Sequence, residues 1–212
     1  MKRALIISST RAHADPRETL RIQDNVSFLL ARGWSVDLLT PRNTHLLDVT
    51  LPKAARVFTI PRIPFTENPP RRPSIRRFIT GTLMFLRGIA LAARRGYDIL
   101  HGINDGVIIA RAISRGAMRR CPYVAELHEP FSARSLHHGP VAFIGRRMEI
   151  SAVRHAGAII FPEEDTFATF DGPIPKSRVS FIPDPHVELD ANAFTGAEFA
   201  SALEHIYAYV LR

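Results

Sequence analysis

The chain has 212 residues, enough for one domain with a proper core, and its 46% hydrophobic and 23% charged residues are those of a globular protein rather than a disordered or fibrous one. Lys and Arg number 28 against 20 Asp and Glu, a net charge of +8 that favours anionic partners without specifying a fold. The single cysteine, Cys121, excludes an internal disulfide and a thiolate metal cluster, and no stretch of about 18 uncharged residues reads as a membrane span. A reducing, cytoplasmic setting is therefore expected, with any membrane contact made from the side.

The first strand is expected over residues 4–7, where Ala4, Leu5, Ile6 and Ile7 run together before a polar loop carrying Ser9, Arg11 and Asp15. A helix begins near Arg17, with Leu20, Val26, Leu29 and Leu30 as its apolar stripe. Gly33 stands at its C-cap, and a second strand follows over 36–39. Strand, helix, strand implies a right-handed parallel crossover. The first turn lacks the G-x-G-x-x-G spacing, so the dinucleotide fingerprint is absent. Proline-rich residues 41–73 read as loop with one short strand at 57–60.

A long helix is expected over 74–95, with Ile75, Phe78, Ile79, Leu83, Leu86 and Ile89 facing inward. Arg76, Arg87 and Arg94 lie on one flank, with Arg77 and Arg95 further round. Strands over 99–101, 123–127, 158–161 and 179–182 then alternate with helices over 107–115 and 142–155 and a short helix after Glu163. Such alternation predicts an α/β fold: a single Rossmann-like, doubly wound, mainly parallel sheet of about seven strands. Residues 197–211 keep helical spacing at Phe199, Leu203, Ile206, Tyr207 and Val210. The expected organisation is a domain over 1–185 and a C-terminal helical tail over 186–212 that packs back on it.

The stretch Y-V-A-E-L-H-E-P-F at 123–131 is a buried strand emptying into a loop with a histidine and two acids. Ligands of open α/β sheets bind outside the carboxyl ends of the strands, where Glu126, His128 and Glu129 fall. An imidazole there can bond a hydroxyl or phosphate in either protonation state; the plain alternative is a loop histidine bonded to a carbonyl. Arg17 could clamp an anion at a helix amino terminus, beside Arg21, while Asp15 serves as a helix cap. Asn104 and Asp105 follow the fourth strand at the same edge and suit either a turn before Gly106 or a ligand. H-E-x-x-H and G-x-S-x-G are both absent, and no metal is expected.

Several patches together resemble the amino-terminal half of a GT-B glycosyltransferase of the family-four type. They are D-P-R at 15–17, A-R-G-W-S-V-D-L-L at 31–39, Y-D-I-L-H-G-I-N-D at 97–105, the stretch at 123–131, R-R-M-E-I-S-A-V-R-H-A-G-A-I-I at 146–160 and V-S-F-I-P-D at 179–184. The resemblance implies an acceptor-binding domain, with a sugar or lipid-linked acceptor near His128, which matches the family's histidine facing the donor sugar and phosphate. Glu129 beside it could orient that imidazole or receive an acceptor hydroxyl, the plain alternative being a solvent-exposed loop acid, and the two are the expected catalytic residues. Ser9, Arg11, Asp15, Arg17, Asn104 and Asp105 are expected to bind substrate because they follow strand carboxyl ends. It implies glycosyl transfer from a nucleotide-sugar, usually with retention, without a metal and with no cofactor.

The donor-binding domain of such enzymes has no counterpart in these residues. Activity is therefore expected only with a donor-domain partner chain, and self-association is the other way to cover the exposed surface. The rival reading is a non-catalytic glycan-, lipid- or protein-binding module derived from the same domain. The arginines of 71–95, foremost Arg76, Arg77 and Arg87, together with Met84, suit the anionic inner face of a membrane. Nucleic acid is disfavoured, because no aromatic residues are interleaved with the basic run as stacking platforms.

Overall fold

The computed structural model describes residues 1–8, 16–41, 51–60, 75–116, 121–130, 140–183 and 195–212. In chain order these form β1 (Arg3–Ser8), α1 (Pro16–Ala31), β2 (Ser35–Pro41), β3 (Arg56–Ile60), α2 (Ile75–Arg95), β4 (Ile99–Ile103) and α3 (Gly106–Gly116). After them come β5 (Tyr123–Glu126), α4 (Pro140–Arg154), β6 (Ala158–Phe161), α5 (Glu164–Ala168), β7 (Val179–Phe181) and α6 (Gly196–Val210). The seven strands make one sheet in the order β3-β2-β1-β4-β5-β6-β7, every neighbouring pair parallel. The order reverses between β1 and β4, which places the topological switch point of a doubly wound fold at their carboxyl ends.

Helices cover both faces, so the central strands are apolar on each side and read as continuous hydrophobic runs. Alternate residues divide between two cores. Leu5, Ile7, Tyr123 and Ala125 face α2, α3 and α4. Ala4, Ile6, Val124 and Ile160 instead meet Ile22, Val26 and Leu29 of α1 and Phe199, Leu203 and Tyr207 of α6. The amino terminus of α6 carries a reciprocal capping box, in which Thr195 accepts the Glu198 amide and Glu198 accepts the Thr195 amide.

Two glycines set the approach of helices to their neighbours. A Cβ on Gly106 would lie 2.0 Å from the carbonyl oxygen of Ile7, so the first turn of α3 is pressed against the end of β1 at the switch point. A Cβ on Gly88 would lie 2.2 Å from Cδ1 of Ile113, which lets α2 and α3 pack closely.

The Gly88 contact also corrects the inward face expected for the long helix. Met84, Gly88 and Leu91 make the buried stripe, whereas Ile79 and Leu86 are exposed. Apolar residues occupy more than half of this helix's circumference, so periodicity alone allowed several rotations, and the small residue facing α3 selects one. Met84, expected at a membrane surface, is fully buried instead. Arg95 is likewise turned inward: its Nη1 donates to Asp37 Oδ2 at 2.6 Å and its guanidinium lies 5.0 Å from the ring centroid of Phe58. Arg87 and Arg94 remain exposed; the side chains of Arg76 and Arg77 lie outside the described residues.

Candidate functional site

Glu126 ends β5 with its side chain on the α1 side of the sheet, wholly buried. An ionised carboxylate there needs donors for its lone pairs, because burial without them costs several kcal/mol. Four groups converge on it from two elements and a loop. Arg21 Nε of α1 donates to Oε1 at 2.6 Å, and His128 Nε2 of the loop after β5 lies 2.8 Å from the same oxygen. Asn25 Nδ2, one turn beyond Arg21, donates to Oε2 at 3.0 Å. His101 Nε2 of β4 stands 2.8 Å from Oε2, off the line of a full hydrogen bond.

Burial alone would push the Glu126 carboxyl up. The adjacent charge of Arg21, the close polar contact of His101 and the hydrogen bond from His128 outweigh it and hold the carboxyl well below the usual carboxylate range. Arg21 is satisfied on its other nitrogens too: Nη1 donates to the Pro183 carbonyl at 3.0 Å and Nη2 to that of Ile182 at 3.2 Å. The Phe199 ring of α6 closes over its guanidinium at 4.3 Å. Arg21 is thus a structural cation, not a clamp for an outside anion.

The network continues to the C-terminal helix, where the Tyr207 hydroxyl lies 2.6 Å from His101 Nδ1. Burial, and then the negative charge of Glu126, hold this phenol well above its ordinary value, so it stays protonated.

Asn104 follows β4 directly and is itself buried. Its Oδ1 accepts the backbone amides of both His128 and Glu129, at 3.0 and 3.1 Å, and its own amide donates to the Glu126 carbonyl at 2.8 Å. Its φ of 50° lies in the left-handed region that asparagine tolerates better than most residues. Asp105 begins the turn into α3, its carbonyl accepting the Ile108 amide at 3.2 Å.

The structure therefore brings Asn104, Asp105, His128 and Glu129 together at the carboxyl edge beside the switch point. Ser9, Arg11 and Asp15 lie outside the described residues, as does the side chain of Arg17. His128 is 11% exposed and Glu129 is exposed. Glu126, placed with them by sequence, is wholly buried on the α1 face of the sheet, where strand alternation sends it. The carboxylate that orients the imidazole is thus Glu126, two residues before it, the role sequence reasoning weighed for Glu129. Two hollows lie elsewhere: a groove of about 130 Å³ bordered by Lys2, Trp34 and Leu211, and one of about 500 Å³ between α5 and β7. Neither is lined by His128 or Asn104.

Arg21, Asn25, His101 and Tyr207 were not read as one cluster from sequence. A signal was present: Arg21 and Asn25 recur with Ile22, Val26 and Leu29 on one helical face, and His101 interrupts an otherwise apolar strand. Polar residues on a stripe that must be buried call for partners.

The profile of Glycosyltransferase Family 4 matches residues 21–185. The chain belongs to this family. Among solved structures, a chain of Thermosynechococcus elongatus sucrose-phosphate synthase designated by the spans 27–220 and 406–426 is similar over 100% of both chains, with a TM-score of 0.69 and 15% identity. A fuller chain of that synthase is matched over 86% of this chain and 48% of its own, at TM-score 0.63 and 16% identity. UDP-GlcNAc 2-epimerase from Methanocaldococcus jannaschii is matched over 87% of this chain and 46% of its own, at TM-score 0.52 and 13% identity. This family-four domain thus spans about half the length of those two proteins. Likeness at such identity establishes the fold, and the fold is shared by proteins whose names state different activities. No curated protein matches the chain.

Proposed function

We propose that this domain is the acceptor-side half of a glycosyltransferase that passes a glycosyl group from a nucleotide-sugar, with the donor-binding wall supplied in trans. The observation that carries this reading is the His128 loop: a nearly buried imidazole, oriented by Glu126 and stapled by Asn104, at the carboxyl edge of a family-four sheet. A ring held so can accept a proton from an acceptor hydroxyl or donate to a developing negative charge without reorganising. Glu129 stands one residue further on, at the exposed rim. Transition-state stabilisation in a two-walled cleft needs groups from both sides placed together, and this domain contributes one wall. Cytoplasmic placement, on the inner face of a membrane, belongs to the same proposal. No described helix is long and apolar enough to cross a membrane, while exposed Leu86 and Ile79 stand on α2 with Arg87 and Arg94.

The test is glycosyl transfer by the purified chain with a panel of nucleotide-sugars and acceptors, alone and with proteins recovered by pull-down. Transfer that appears only with a partner and falls about 100-fold or more in His128→Ala, the scale of a lost acid–base group, supports the proposal. Turnover by the chain alone would refute the requirement for a partner. Glycan or lipid binding without transfer in any combination would favour a non-catalytic module.

A further inference from the structure

The two helical layers of this domain differ in charge. In α2, α3 and α4 every charged side chain but one is an arginine, and the exception, Glu149, is 1% exposed. Asp171, beside this layer, is paired with Arg146. The opposite layer is mixed: α1 and α6 carry Glu18, Asp24, Glu198 and Glu204 against Arg17 and Arg21. Among the helices, the positive excess thus sits on one face of the sheet, where Arg87, Arg94, Arg115, Arg147 and Arg154 are exposed.

The same layer exposes large apolar side chains. Phe143, Ile144 and Met148 of α4 are 60%, 53% and 42% exposed and fall on one side of the helix with Arg147, while Glu149, Ala152 and Val153 hold its inner side. The Arg147 guanidinium lies 5.3 Å from the Phe143 ring centroid, so cation and ring share one surface.

Cations alone suit any polyanion, but large apolar side chains among them gain only from a partner that offers hydrocarbon as well as negative charge. A second copy would set arginine against arginine across a two-fold axis. A donor-binding wall must meet the carboxyl ends of the strands, whereas the outer side of this layer faces along the normal to the sheet. An anionic bilayer meets both demands. The strands are all parallel, so α4 runs back from the carboxyl edge, where β5 ends, to the edge where β6 begins. Phe143 and Ile144 therefore lie at the end of α4 nearer the His128 loop.

We propose that the layer of α2, α3 and α4 lies flat on an anionic bilayer, with Phe143, Ile144 and Met148 of α4 inserted into the interface and Arg147 held at the lipid phosphates. Arg87 and Arg94 of α2 widen the electrostatic footprint, and α4 supplies the anchor that charge alone lacks. In this pose the edge with His128 opens sideways along the membrane, which suits an acceptor carried by a lipid. That consequence rests on the proposed reading of the edge as the acceptor side; the membrane contact does not.

The experiment is sedimentation of the full chain at low salt with phosphatidylcholine vesicles containing or lacking phosphatidylglycerol. Wild type is expected to bind only the anionic vesicles. The double change Phe143→Ser and Met148→Ser removes no charge and should weaken that binding about tenfold or more, whereas Tyr209→Ser, on the exposed side of α6 in the opposite layer, should leave it unchanged. Insertion is read separately: nitroxide-labelled lipid should quench the emission of Phe143→Trp, beyond the shared Trp34 background, and should not quench that of Tyr209→Trp. Wild type that ignores anionic vesicles overturns the proposal. So does a folded double serine variant that binds like wild type, even where glutamates on α2 abolish binding, since contact would then run through α2 alone. Should the double variant not fold, the quenching decides, and Phe143→Trp emission untouched by the nitroxide overturns the proposal. None of these readouts needs sugar transfer: an inactive chain leaves them as they are, and a failed membrane contact leaves the proposed transfer chemistry standing.

Discussion

Arg21 and Glu126, 105 positions apart in the sequence, meet at 2.6 Å between α1 and the sheet with neither side chain exposed. A buried ion pair is weak evidence for net stability, but removing one partner strands the other in a low-dielectric interior. Arg21→Met and Glu126→Gln should each destabilise the domain by about 3–5 kcal/mol in urea unfolding. Replacing both by apolar residues of similar volume should recover much of that loss. Two single changes within about 0.5 kcal/mol of wild type would show that the pair is not the buried hub described.

The same pair sets an acid limit. The folded Glu126 carboxyl is held below its unfolded value of about 4.3, so its stabilisation is fully present above that pH and is lost as pH falls through the lower folded value. Urea midpoints measured at decreasing pH should therefore fall more steeply for wild type than for Glu126→Gln. Parallel acid profiles would contradict the assignment.

Asn104 acts as a staple for the His128 loop. Asn104→Gly keeps the left-handed backbone but loses the acceptor of two amides, and should cost about 1–2 kcal/mol. Hydrogen exchange at His128 and Glu129 should quicken in this variant while exchange in β1 stays slow. Unaltered protection of those two amides would rule the staple out.

Phe199, Leu203, Ile206 and Tyr207 of α6 are buried against the second core, and each such side chain contributes about 1.5–3 kcal/mol. Their sum is comparable to the whole stability of an ordinary domain. Truncation after Pro185 should leave a chain that aggregates or lacks a cooperative melt, read by circular dichroism and gel filtration. A truncated monomer with the wild-type melting temperature would make the helix an appendage.

Basic residues near an anionic bilayer contribute about 1 kcal/mol each. Reversing Arg76, Arg77 and Arg87 to glutamate should weaken binding to acidic vesicles at least about 100-fold, and salt should weaken the wild type in the same direction. Wild-type protein that ignores such vesicles at low salt would show the basic face to be merely solvated.

The sequence by itself determined the α/β alternation. Runs such as 4–7 and 158–161 are short, uniformly apolar and separated by helical spacing, a local signature of parallel strands covered on both sides. It also marked the His128 loop, since the end of a strand can be read from the strand itself. Tertiary structure decided which polar residues share a carboxylate. Arg21, Asn25, His101, Tyr207 and Glu126 meet because α1 and α6 pack over β4 and β5 on one face of the sheet, and no local pattern encodes which helix covers which strand. The rotation of α2 was decided in the same way. Its apolar residues permit several inward faces, and only the close contact of Gly88 with Ile113 buries Met84 and leaves Ile79 and Leu86 outside. Hydrophobic periodicity is a property of neighbours along the chain, whereas charge pairing and helix rotation are settled by contacts between segments far apart in it.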